Sequence, residues 1–215
     1  MSAPFASRDE TSTAPAGAAP NGSRAARLAV LAILAWLAWS AFHDELGYLP
    51  LLGDIDLAIH EAGHIVFMPF GRTMMILGGS LFQVAFPLVF AAYFLWPRFT
   101  YRARDVYASM ICVWWSALNL LSVAIYCGDS RAGRLILLDG STAQDGDSHD
   151  WKNLLKIWNA LDQDTIIARR MRAVAVLMCC GSLIVAAWSV FGRDARAGES
   201  ADAMSSPSTT PATPA

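Results

Sequence analysis

Apolar residues dominate four long stretches of this chain, at 25–42, 74–96, 106–126 and 173–191. Each is close to the ~20 residues a helix needs to cross a bilayer. Trp and Tyr recur near their ends (Tyr48, Trp96, Tyr101, Tyr126, Trp188), as rings that prefer the membrane–water interface do. A fifth stretch, 54–70 (DIDLAIHEAGHIVFMPF), is apolar at its edges but carries two His and a Glu in its middle. A different pattern occupies 149–162. There Trp151, Leu154, Leu155, Trp158 and Leu161 fall on one helical face, with Lys152, Asn153, Lys156 and Asn159 on the other. That spacing predicts an amphipathic helix at the membrane interface, its lysines reaching towards headgroups. The ends of the chain, 1–24 and 193–215, are rich in Ser, Ala, Pro, Thr and Gly without apolar periodicity. They read as disordered tails, because such sequences bury too little apolar surface to offset ordering entropy. The expected fold is all-α: a polytopic helical membrane protein of about five membrane helices with disordered termini. Residues 25–192 form one membrane-embedded unit.

Composition agrees with this pattern. Of 215 residues 55% are hydrophobic and 16% charged, against ~25% charged in soluble domains. A net charge of −2 with sixteen basic residues argues against a nucleic-acid partner, which calls for a basic surface. The expected partners are the lipid bilayer and a membrane or juxtamembrane protein substrate. The four cysteines (Cys112, Cys127, Cys179, Cys180) lie in or beside apolar runs, where a thiol packs as a small hydrophobe. Span 25–42 could be a cleaved signal, but the residues ahead of it make a long n-region, so it reads as an uncleaved anchor.

Basic residues predict the orientation. If 54–70 crosses the membrane and the N-terminus is cytoplasmic, eleven basic residues lie inside and five (Arg98, Arg102, Arg104, Arg193, Arg196) outside. If 54–70 is re-entrant, the split is eight to eight. The five-span arrangement fits better, with the N-terminus cytoplasmic and the C-terminus outside.

Ionisable groups at membrane depth cost a few kcal/mol each and usually mark a site. His60-Glu61-Ala62-Gly63-His64 is an HExxH sequence. On a helix, positions i and i+4 share a face, so His60 and His64 can bind one Zn²⁺ while Glu61 serves as general base towards water. Catalytic zinc needs a third protein ligand and one open position. Asp129 is the first choice, because five spans bring the end of its helix and the end of the His60–His64 helix to one depth. His149, Asp150 and Asp139 are the alternatives. Asn119, the only amide in its span, is read either as an interhelical hydrogen bond or as a donor to the oxyanion of peptide hydrolysis. Gly78, Gly79 and Ser80 suit close helix packing, and Gln83 needs a polar partner at that depth.

His60, Glu61 and His64, with Asn119-Leu120-Leu121 and Asp129 downstream, resemble the site-2-protease-like integral membrane metallopeptidases. Ser122 stands where that group has Pro, and Gly precedes Asp129 rather than following it. Gly78-Gly79-Ser80-Leu81-Phe82-Gln83 and His149-Asp150-Trp151 are similar to segments of a small bacterial branch of the group. The resemblance covers roughly 55–155. It implies a zinc-dependent hydrolase cutting a peptide bond in or beside the bilayer, with Asp129 as third ligand. The alternative is a non-catalytic metal-binding or structural membrane protein.

Overall fold

The computed structural model describes residues 21–44, 47, 49–96, 104–138, 140–144 and 148–205, with backbone alone at 21–23 and 192–205. The described residues form six α-helices: α1 (Asn21–His43), α2 (Leu52–Phe67), α3 (Arg72–Leu95), α4 (Val106–Gly128), α5 (Asp150–Ile157) and α6 (Asp164–Ser205). Short 3₁₀ turns lie at Met68–Phe70 and Leu161–Gln163. No strand occurs among the described residues. Four segments are long and apolar enough to cross a membrane: Arg24–His43, Arg72–Leu95, Val106–Gly128 and Leu161–Phe191. The chain is a helical membrane-type protein.

Hydrogen bonds between helices fix their directions. Ser109 Oγ donates to the Ala91 carbonyl at 3.0 Å, and Ser116 Oγ to the Val84 carbonyl at 2.8 Å. Rising numbers on α4 meet falling numbers on α3, so these helices are antiparallel. α6 is antiparallel to α4 as well. Its start is clamped to the end of α4 by Arg131, whose guanidinium meets Asp164 at 2.6 Å. α1 runs parallel to α4 and antiparallel to α6. Near its start, Tyr107 donates to the Arg27 carbonyl at 3.0 Å and Arg24 lies over the Phe191 ring. Near its end, Arg172 donates to the Phe42 carbonyl. Ala38 and Ala41 of α1, Trp114, Ala117, Leu118 and Leu121 of α4, and Ala175 and Cys179 of α6 form the core between these three helices. Small side chains there let the backbones approach, the usual basis of helix association in lipid.

α2 departs from expectation. It packs antiparallel to α3, with His64 beside Met75, Gly63 against Gly78 and His60 beside Gln83. Towards its start, Asp56 accepts from Trp115 Nε1 at 2.8 Å, midway along α4. The helix therefore begins inside the bundle. Its 16 residues span ~24 Å at ~1.5 Å per residue, short of a ~30 Å hydrocarbon core. The connection from α1 folds back to reach that interior start. Gly47, with φ 59°, sits beside Ile125 near the end of α4, and Leu51, with φ 67°, precedes the first turn of α2. α1 thus arrives at the end of the bundle where α4 ends, the chain re-enters, and α2 returns to that same end.

This corrects the five-span count and the placement of the termini on opposite sides. Four helices run the length of the bundle and α2 does not. α1 starts, and α6 reaches Phe191, at the end away from the tip of α2. By chain order the basic residues then divide eight to eight.

Two further differences concern chain segments. The amphipathic helix ends at Ile157 rather than 162, because Asn159 takes a positive φ of 53° and breaks it. Its Trp151, Leu154 and Leu155 are buried against Ile76 of α3 and Val123 and Cys127 of α4, so the apolar face docks on protein. The expected tails lie partly outside the described residues (1–20 and 206–215). Within 193–205 the backbone continues α6 to Ser205, through a run holding Ala195, Ala197, Ala201 and Ala203, the strongest helix formers.

Candidate metal site

The buried stripe of α2 is polar. Asp56, His60 and Gly63 face inwards, and His64 lies one turn beyond His60 on the same side. Close approach of α3 makes room for them. A Cβ on Gly63 would fall 2.4 Å from the Gly78 carbonyl oxygen, so α2 and α3 touch backbone to backbone. A Cβ on Gly79 would lie 2.5 Å from His60 Nε2 and 2.6 Å from His64 Nε2. Both imidazoles turn their Nε2 atoms towards Gly79, where α3 carries no side chain.

The other ring nitrogens are held. His60 Nδ1 donates to Gln83 Oε1 at 3.0 Å, and His64 Nδ1 to the Met75 carbonyl at 2.8 Å. An imidazole that donates from Nδ1 keeps the Nε2 lone pair free in its neutral form. Gln83 is oriented in turn, its Nε2 donating to Asn119 Oδ1 at 3.1 Å.

Asp150 completes the group. Its Oδ2 lies 3.2 Å from His60 Nε2 and 3.2 Å from His64 Nε2. Both neighbours of Asp150 anchor it. His149 is fully buried, stacks on Tyr126 with ring centroids 4.2 Å apart, and caps α5 by accepting from the Lys152 N–H at 3.2 Å. Trp151 is buried and donates to Ser80 Oγ on α3 at 3.0 Å. The Asp150 N–H itself donates to the Tyr126 hydroxyl at 2.9 Å. Burial would raise the Asp150 carboxyl, but the imidazoles of His60 and His64 outweigh it and hold the group below the ordinary aspartate value. Burial pushes His149 down, against the opposing pull of Asp129 and Asp150.

His60, His64 and Asp150 could hold a metal ion, each offering one ligand atom and all three atoms lying within 4.8 Å of one another. The distances fit. Ligands at ~2.0 Å from a tetrahedral centre sit ~3.3 Å apart, close to both 3.2 Å separations. Two imidazoles and a carboxylate are a donor set that zinc accepts. One side remains open to a cavity of about 900 Å³ lined by His60, Glu61, His64, Asp150, Tyr126 and residues 134–138.

The structure does not bring the other candidates to this cluster. Asp129, the first choice, lies at the same end of the bundle but is committed elsewhere. Its Oδ1 accepts from the Arg134 N–H at 2.8 Å and its Oδ2 from the Leu135 N–H at 3.0 Å, turning the chain after α4. His149 uses Nδ1 as a helix cap and points Nε2 at Asp129 Oδ2, 4.0 Å away. Asp139 lies outside the described residues. Asn119 is fully buried and does not line the cavity. It stands behind Gln83, two links from His60, and its Nδ2 makes no hydrogen bond of ordinary geometry, with the Asp56 carboxylate as its electrostatic neighbour. Glu61 is exposed on the cavity wall beside the cluster.

Sequence reasoning missed Tyr126, read only as an interfacial ring, and the roles of Met75 and Ser80. Their signals were weak: a backbone carbonyl has no sequence signature, and a serine among glycines reads as packing. Fold and site together define a helical membrane protein with a His–His–Asp cluster at one end of its bundle. No protein-family model, no curated protein and no solved structure matches the chain.

Proposed function

We propose that this chain is a zinc-dependent membrane metallopeptidase that hydrolyses a peptide bond in or beside the bilayer. The observation that carries the reading is the convergence of His60 Nε2, His64 Nε2 and Asp150 Oδ2 next to Gly79, with each Nδ1 anchored. Such organisation exceeds what burial of two histidines requires. The zinc would be held by His60, His64 and Asp150, and would supply Lewis acidity towards a carbonyl and towards water. Glu61, exposed to the same cavity, takes the proton of the attacking water and returns it to the leaving nitrogen. The apolar cavity walls contributed by Leu135, Ile136, Leu137 and Leu138 suit an apolar stretch of a membrane-protein substrate.

The resemblance to site-2-protease-like peptidases supports a bacterial inner (plasma) membrane location. Arg24 and Arg27 lie in the first turns of α1, whereas Asp44 follows its end, which supports a cytoplasmic N-terminus. With four crossings the C-terminus is then cytoplasmic too, and the cluster faces the opposite side. Reporters fused after residue 205 and within 140–144 test this by reading opposite compartments; one compartment for both overturns it.

The function is tested with Glu61→Gln. Purified wild-type protein and the variant should each hold about one zinc per chain. Cleavage of a reconstituted membrane substrate should fall ~10²–10⁴-fold in the variant, the usual cost of a lost general base. Wild-type protein free of zinc, or a fully active variant, sinks the proposal.

A further inference from the structure

The proposed hydrolysis needs a donor for the oxygen that gains charge when water adds to the carbonyl. Asn119 is behind the cavity wall, and Gln83 is bonded through Oε1 to His60 and through one Nε2 hydrogen to Asn119. Arg134 lies exposed on the loop. A polar hydrogen next to the cluster is available on Tyr126. Tyr126 lines the cavity, its ring 6.2 Å from that of His60. Its hydroxyl accepts from the Asp150 N–H at 2.9 Å. A phenol has one O–H to donate besides its acceptor lone pairs, and no acceptor among the described residues receives that of Tyr126. The ring cannot swing freely. It is stacked on fully buried His149, and the hydroxyl is tied to the backbone of the residue that supplies the carboxylate.

We propose that Tyr126 is a catalytic residue whose O–H donates a hydrogen bond to the oxyanion of the tetrahedral intermediate. This rests on the peptidase reading. In the addition step the water oxygen bonds to the carbonyl carbon, a water proton passes to the Glu61 carboxylate, and the carbonyl π pair moves onto the oxygen facing Tyr126. In the collapse step that pair re-forms the carbonyl, the C–N bond breaks, and Glu61 delivers its proton to the nitrogen. Tyr126 keeps its proton throughout. A donor fixed before the reaction lowers the barrier because nothing has to reorient as the charge develops.

Tyr126→Phe in the full chain keeps the ring that stacks on His149 and removes only the hydroxyl. Two ligands read the result. Zinc, titrated against a chromogenic chelator, reports whether Asp150 has stayed in place. A phosphinic isostere of Leu-Leu carries the oxygens of the tetrahedral species and reports on oxyanion contacts. Zinc affinity should stay within about threefold of wild type, while phosphinate affinity and turnover fall ~10²–10³-fold, the size of effect seen when an oxyanion donor is deleted. Unchanged phosphinate affinity with wild-type zinc binding overturns the assignment and leaves the peptidase reading standing. A fall in zinc affinity of the same size as the fall in phosphinate affinity also overturns it, making Tyr126 a positioning residue for Asp150. Wild-type protein that binds no zinc removes both.

Discussion

Helices α1 and α2 are neighbours in sequence, and both are apolar by composition, yet they are built in opposite senses. α1 buries Leu31, Ala38 and Ala41 and turns Ile33, Trp36 and Trp39 outwards, so it is apolar on every side. α2 buries Asp56, His60 and Gly63 and turns Ile55, Leu57, Ile65 and Val66 outwards. In water α2 would be inside out. With lipid as the surroundings, its outward face costs nothing, and the inward polar face must be justified by partners. Those partners exist: Trp115 for Asp56, Gln83 and Asp150 for His60, Met75 and Asp150 for His64. A helix whose buried polar residues meet prepared partners is organised around a site, while α1 is organised around packing.

The sharpest way to break this contrast is to remove the ligands. His60→Ala and Asp150→Ala should each take the protein from about one zinc per chain to none, measured by elemental analysis after purification. Asp129→Ala should keep its zinc, because Asp129 holds the loop backbone and not the cluster. The reverse result, zinc lost in Asp129→Ala and kept in Asp150→Ala, would move the site away from α5 and leave the inward face of α2 unexplained.

The sequence already contained most of what builds this site. HExxH set the two imidazoles on one face, and the Gly78-Gly79-Ser80…Gln83 and His149-Asp150-Trp151 segments hold the residues that the structure gathers around them. The choice between Asp129 and Asp150 was not legible. Depth along the bundle admits both, and the two backbone N–H groups that occupy Asp129 belong to a loop without regular structure. The crossing number was not legible either. A short stretch such as 54–70 satisfies a spanning and a re-entrant reading equally, and a count of basic residues does not see the chain fold back between α1 and α2.

A smaller effect is expected where α2 and α3 touch. Gly79→Ala places a methyl group 2.5–2.6 Å from both Nε2 atoms, a separation that forces the rings apart. Zinc affinity should drop at least tenfold with the helical circular dichroism unchanged. Gly181 of α6, whose Cβ would meet nothing within 4 Å, is the matched control, and Gly181→Ala should bind zinc as the wild type does. Gln83→Leu tests the support behind His60. Removing the acceptor of His60 Nδ1 should weaken zinc ~10–100-fold, the usual cost of losing a group that orients a metal-ligating histidine. Wild-type affinity in Gln83→Leu would mean that the hydrogen bond at 3.0 Å contributes nothing to the site.

The smallest expected effects lie on the outward faces, where α1 and α2 should behave alike. Trp36, 66% exposed on α1, and Ile65, 69% exposed on α2, both project away from the bundle. Trp36→Leu and Ile65→Leu keep an apolar side chain at a mostly exposed position. Each should change stability by no more than ~0.5 kcal/mol, as substitutions away from packed or polar features usually do, and neither should alter zinc content. Ile65 is the more demanding case because it directly follows His64 in the chain. If Ile65→Leu lowers zinc binding while Trp36→Leu does not, the outward face of α2 is not simply lipid-facing. It would then be a contact surface coupled to the cluster, and the distinction between an inward functional face and an inert outward one would have to be redrawn for that helix.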